Sequence, residues 1–98
     1  MIARLVTMTF KNEAIEDFKQ LFDKQKDKIR DQPGCLLLEL HQDRSKPEVF
    51  MTYSHWTSEQ ALNDYRHSAL FAEVWPATKK LFSDKPKAVS LTRLHHLP

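Results

Sequence analysis

The sequence predicts an α+β fold: a ferredoxin-like βαββαβ unit with an antiparallel four-stranded sheet and helices on one face. Three observations predict it. Four short stretches are rich in β-branched, aromatic and alternating apolar residues. One long helical periodicity separates the first stretch from the second, and a split one separates the third from the fourth. Only a short turn joins the second stretch to the third, so that pair reads as a hairpin. This order of elements defines the unit.

The first strand spans Ile2–Phe10, with Val6, Met8 and Phe10 on one parity. Asn12 stands where a helix N-cap is expected. Ala14, Phe18, Leu21, Phe22, Gln25 and Ile29 then recur at helical spacing, which predicts a long amphipathic helix. Lys24, Lys26 and Lys28 alternate with Asp23 and Asp27, the pattern of a solvated helix face. Asp31-Gln32-Pro33-Gly34 stops the helix. Gly34 is the only glycine in the chain, and a residue so sparingly used is expected at a positive φ.

The second strand is Cys35–Gln42, with Leu36, Leu38 and Leu40 on one parity and Cys35, Leu37, Glu39 and His41 on the other. Asp43-Arg44-Ser45-Lys46-Pro47 forms the turn, and Val49–Trp56 the third strand. Thr57-Ser58-Glu59-Gln60 fits a capping box with Thr57 as cap, followed by a short helix to about Tyr65. Ser68 caps a further helix whose apolar face is Phe71, Val74, Trp75, Thr78, Leu81 and Phe82. Pro76 is expected to interrupt and kink it. Asp84-Lys85-Pro86 ends it, and Ala88–His95 is the last strand.

The 98 residues make one domain, 1–98, with no room for a second core. Lys and Arg number 15 against 13 Asp and Glu, so neither a nucleic-acid nor a membrane surface is indicated. The single Cys35 excludes an internal disulfide and fits a reducing compartment. Met1–Phe10 is too short and polar for a signal peptide, and no apolar run approaches a membrane span, so the expected location is cytoplasmic. Both parities of the first three strands carry apolar residues. Helices on one side would cover one face only. A second copy of the sheet is the natural cover for the other, and a homodimer is expected.

Proton-handling and stacking side chains are densest in Tyr53-Ser54-His55-Trp56 and Tyr65-Arg66-His67-Ser68-Ala69-Leu70-Phe71. Pro33-Gly34-Cys35 entering the second strand, Tyr53-x-x-Trp56-x-Ser58, and the spacing to Tyr65-Arg66-x-Ser68-x-Leu70-Phe71 resemble the antibiotic biosynthesis monooxygenase family. The resemblance covers essentially the whole chain. It implies a dimeric α+β barrel. It also implies one of several activities, among them cofactor-independent oxygenation of phenolic or quinol-type aromatics, haem degradation and small-molecule isomerisation, and some members have no known activity. Where haem-degrading members carry an Asn, a Trp and a ligating His, an ungapped comparison finds Val6, Tyr65 and Trp75. The resemblance therefore implies no haem here.

The candidate catalytic residues are His67, Tyr65, Asn63 and His55. Histidine and tyrosine exchange protons, and Asn63 and His67 are four apart on one helical face. The candidate substrate-binding residues are Tyr53, Trp56, Arg66, Phe71, Trp75 and His41. Each has a plainer reading. Trp56 ends a strand and serves equally as packing. His55 and His41 sit where a solvated imidazole is common, and Arg66 has Asp64 and Glu59 as surface partners. The first helix offers mostly Phe and Leu inward, so it would wall a pocket without doing proton chemistry.

No phosphate loop, Cys/His metal spacing or nucleophile elbow is present, and His95-His96 lie on alternating faces. Neither metal nor cofactor is expected. Two functional classes remain. One is a cofactor-independent monooxygenase acting on a small aromatic molecule. The other is a non-catalytic dimeric module that binds or regulates. A cavity able to take a bicyclic aromatic with His or Tyr inside favours the first, and one filled by Phe and Trp favours the second.

Overall fold

The structure, a computed structural model, describes residues 1–98. Its elements are β1 (Ile2–Thr9), a 3-10 turn (Asn12–Ala14), α1 (Ile15–Arg30), β2 (Cys35–Gln42), β3 (Val49–Trp56), α2 (Glu59–Arg66), α3 (Ala69–Lys79) and β4 (Lys87–Leu91). The four strands form one antiparallel sheet in the order β2-β3-β1-β4, the ferredoxin-like arrangement.

The register sorts the side chains into two faces. One face carries the rows Leu38–Ser54–Arg4–Ser90 and Leu40–Thr52–Val6–Ala88. The other carries Leu37–His55–Ala3–Leu91, Glu39–Tyr53–Leu5–Val89 and His41–Met51–Thr7–Lys87. The helices cover the first face. Its core has two parts. Met8, Phe10, Phe18 and Phe50 form one, with Phe10 stacked on Phe18 at 4.1 Å between ring centroids. Cys35, Trp56 and Leu62 form the other.

Local details depart from the sequence reading. Asn12 opens a 3-10 turn, and α1 starts at Ile15 without a side-chain cap; Glu16 and Asp17 in its first turn suit the helix dipole. The cap of α2 is Ser58, whose Oγ accepts from the Ala61 N–H at 3.1 Å. Thr57 lies one residue before it, and its N–H donates to the Gly34 carbonyl at 2.8 Å. Gln60 reaches Asp64 instead of closing a capping box. Ser68 caps α3 as expected. Pro76 does not interrupt α3, which continues to Lys79. Thr78 Oγ1 donates to the Val74 carbonyl at 2.8 Å within the same stretch.

The last strand ends at Leu91 rather than His95. Leu91 pairs with Ala3, one residue from the start of β1, so the edge strand runs out of partner. A bulge between Cys35 and Leu37 shifts the parity of β2. Cys35 pairs with Trp56 and joins the helix-side core, whereas alternation alone put it with Leu37 and Glu39.

Gly34 has φ +84°, as its rarity suggested. Space makes a second demand there. A Cβ on Gly34 would fall 2.5 Å from Ala61 Cβ and 2.8 Å from Thr57 Oγ1. Glycine therefore lets the turn into β2 pack directly on α2.

Candidate active site

A cavity of about 120 Å³ lies between the two parts of the core, bordered by Met8 and Phe18 on one side and Trp56 on the other. Its floor is the helix-side face of the sheet: Arg4, Val6 and Met8 of β1, Thr52, Ser54 and Trp56 of β3, and Leu38 of β2. Phe18, Phe22 and Ile29 of α1 form one wall. Tyr65 of α2 with Phe71, Val74, Trp75 and Thr78 of α3 forms the other. The lining is mainly apolar. It contains no carboxylate and no imidazole.

An aromatic chain borders this space. Trp56 and Tyr65 stack at 5.2 Å with 19° between planes, Tyr65 meets Phe71 edge-on at 5.2 Å, and Phe71 stacks on Trp75 at 5.7 Å. Trp56 is 1 % exposed, and its indole N–H donates to Ser54 Oγ at 3.0 Å. Packing and cavity lining are thus one role for Trp56, not alternatives. Burial pushes the Tyr65 phenol up to about 12. At neutral pH its hydroxyl is a hydrogen-bond donor and not a proton acceptor. Burial also raises the Cys35 thiol, so Cys35 is a packed neutral side chain.

Four expected site residues therefore meet at the cavity: Trp56, Tyr65, Phe71 and Trp75. Asn63 and His67 are not in its lining; they lie at the end of α2, where exposed His67 Nδ1 is 2.7 Å from the Asn63 carbonyl. Arg66 is exposed on the same helix. Tyr53, His55 and His41 share one face, but it is the sheet face opposite the cavity. There Tyr53 and His55 meet edge-on at 4.9 Å, and His41 Nε2 lies 2.7 Å from Glu39 Oε1. His55 is 7 % exposed, and its Nε2 has no partner. Burial foremost, then Arg93 and His96, lowers its proton affinity against an opposing pull from Glu39, so the neutral ring is favoured.

Sequence reasoning missed Arg4, Thr52 and Ser54; Thr78 was read on the inward face of α3, but without a role in the site. Arg4 left a signal. It breaks the parity on which Met8 and Phe10 are buried and Val6 partly so, and a charge on a core-facing parity is uncommon. The small hydroxyl residues left none, because Ser and Thr are ordinary on strands.

The sequence profile described as antibiotic biosynthesis monooxygenase matches residues 1–75. The chain belongs to this family. The match to the antibiotic biosynthesis monooxygenase family takes in the whole cavity floor, α1, α2 and α3 as far as Trp75. Solved structures agree on the fold. A crystal structure of an antibiotic biosynthesis monooxygenase superposes with a TM-score of 0.91 at 22% identity, covering 97% of this chain and 100% of that one. SnoaB from Streptomyces nogalater, a cofactor-independent oxygenase, superposes with a TM-score of 0.88 at 20% identity, covering 99% and 96%. Rv0793 from Mycobacterium tuberculosis gives 0.89 at 16% identity, covering 99% and 98%. No curated protein matches the chain at a significant level. No helix is long and apolar enough to cross a membrane.

Proposed function

We propose that this protein is a cofactor-independent monooxygenase acting on a small phenolic or quinol-type aromatic. The observation that carries the reading is the cavity itself: a mainly apolar, aromatic-walled space within a monooxygenase-family fold, with Tyr65 and Arg4 among its hydrogen-bond donors. SnoaB, which shares the fold, is a cofactor-independent oxygenase, and that supports the same chemistry here. An electron-rich ring held there would react as its anion, which passes an electron to oxygen. The protein would contribute a dry site and donors placed for negative charge.

The volume limits the substrate. Drug-sized ligands occupy about 300–1,000 Å³, whereas a cavity of about 150 Å³ holds one benzene ring. At about 120 Å³ the space is of the order of a single ring and short of a bicyclic compound. The test is oxygen uptake with methylhydroquinone and with dihydroxynaphthalene, no cofactor added, against a protein-free control. A quinol and O₂ should give a hydroxyquinone and water, with the monocyclic compound turned over faster. Uptake no greater than the control for either removes the reading.

The lack of any carboxylate or imidazole in the lining, and a volume short of a bicyclic aromatic with Phe and Trp in the walls, favour a second reading, a non-catalytic binding module. Saturable binding of the same compounds without oxygen uptake would select it.

The reading includes a homodimer formed through the outer sheet face. Val89 and Leu91 are 46% and 40% exposed there, in register with Leu5 and Ala3. The apolar part of that face, Leu37, Ala3, Leu5, Val89 and Leu91, is bordered by Glu39 and the row His41–Met51–Thr7–Lys87, as an interface core is by its polar rim. Light scattering should return twice the 11.6 kDa chain mass at micromolar concentration. A mass of one chain across concentrations would remove the dimer. The free Cys35 supports a reducing compartment such as the cytoplasm.

A further inference from the structure

Arg4 is the only charged residue lining the cavity. It stands in the floor row Leu38–Ser54–Arg4–Ser90, and its Nη1 donates to Ser90 Oγ at 2.9 Å. No carboxylate pairs with it. The ion pairs of the protein are Lys19–Glu16, Lys26–Asp23 and His41–Glu39, all away from the cavity. Arg66 has no carboxylate partner either. Burial, and then the nearby positive charge of Arg66, disfavour the Arg4 cation. A half-buried guanidinium with a second cation in its neighbourhood and no paired carboxylate is an arrangement that an incoming negative charge relieves.

We infer that the cavity binds its aromatic ligand as an anion, a phenolate or arene carboxylate, with the Arg4 guanidinium as fixed counter-charge and Ser90 holding it in position. The inference rests on the cavity being the ligand site proposed above. It names what the absence of a base requires. With no carboxylate or imidazole in the lining, the site does not have to remove a proton from a ligand that it takes already ionised. The planar guanidinium presents paired N–H donors suited to an oxyanion, and its remaining donors have no protein acceptor. The small volume confines the class to one substituted ring.

The plainer role for Arg4 is a clip that ties the edge strand β4 to β1 through Ser90. The test separates the two roles by reading the ionisation state of a bound probe. 4-Nitrophenol changes colour on ionisation, so its spectrum is recorded with and without protein at the pH where the free probe is half ionised. Binding should shift the spectrum toward the nitrophenolate and lower the probe's apparent pKa by about one unit, a tenfold preference for the anion. Arg4→Gln should abolish the shift, Arg4→Lys should keep part of it, and Ser90→Ala and Arg66→Gln should each reduce it by less than Arg4→Gln. Circular dichroism establishes that the variants are folded, and Arg4→Lys carries the test should Arg4→Gln be unfolded. A shift toward the neutral form, a shift unchanged in the Arg4 variants, or no binding of the probe overturns the inference. Loss of thermal stability with the shift intact assigns Arg4 the clip role alone. Oxygen uptake without a probe shift leaves the oxygenase reading and removes the anion subsite. A probe shift without uptake does the reverse.

Discussion

Gly34→Ala is expected to destabilise the protein by about 2–5 kcal/mol. Two costs combine. An L side chain at φ +84° pays roughly 1–2 kcal/mol for the left-handed region. The new methyl also meets Ala61 Cβ at 2.5 Å and Thr57 Oγ1 at 2.8 Å, and overpacking of this kind costs about 1–3 kcal/mol. Thr57 has a hydroxyl that rotates away, but Ala61 Cβ is fixed to the first turns of α2. Relief therefore requires α2 to move off the turn, which pulls on Leu62 and Tyr65 beside Trp56. Against a total of about 5–15 kcal/mol the loss is large, and at about 4–8 °C per kcal/mol the thermal midpoint should fall by at least 8 °C or so. Ala61→Gly should cost less in the Gly34→Ala background than in the wild type, because it removes the nearest clash. A Gly34→Ala protein that melts with the wild type would show that the turn is not held against α2.

Tyr65→Phe is expected to lower turnover about 100-fold, the scale on which loss of one donor to a developing oxyanion is felt, with affinity for the aromatic little changed. Phenylalanine keeps the stack on Trp56 and the edge contact with Phe71, so the cavity wall stays. The hydroxyl makes no hydrogen bond to another protein group, and its removal leaves nothing unpaired. What is lost is the donor, protonated at neutral pH because burial holds its pKa at about 12. His67→Ala should leave turnover within about twofold, since that ring is exposed and tied to the end of α2. Oxygen-uptake kinetics on the methylhydroquinone reaction decide between them. Equal, small effects at both positions would move the chemistry away from the cavity, toward Tyr53, His55 and His41 on the outer face.

The element order was legible in the residues because each signal is local. Phe18, Gln25 and Ile29 are buried along α1 as their spacing requires, β2 and β3 keep the bounds read from alternation, and the one glycine has the one positive φ. The misread caps at Asn12 and Thr57 and the shifted parity of Cys35 were not local errors of that kind. Ser58 takes the cap in place of Thr57, whose N–H is held by the carbonyl of Gly34, 23 positions away in the chain. The bulge at Cys35 exists because Trp56 and Leu62 take its side chain into the core.

The site divides the same way. Trp56, Tyr65, Phe71 and Trp75 were visible as one aromatic cluster because chain proximity alone brings α2 and α3 to the end of β3. The sequence by itself determined the βαββαβ order, the helix-side apolar stripes and that cluster, since periodicity and turn chemistry are set by neighbours in the chain. Only the tertiary structure decided which sheet face holds the cavity. Register places Tyr53 and His55 on one side of β3 and Ser54 and Trp56 on the other, and the helices cover just one of them. Pairing of β1 with β3 and β4 then sets Arg4 beside Ser54 and Ser90, residues far apart in sequence, and so puts the cavity's one charge where no local pattern shows it.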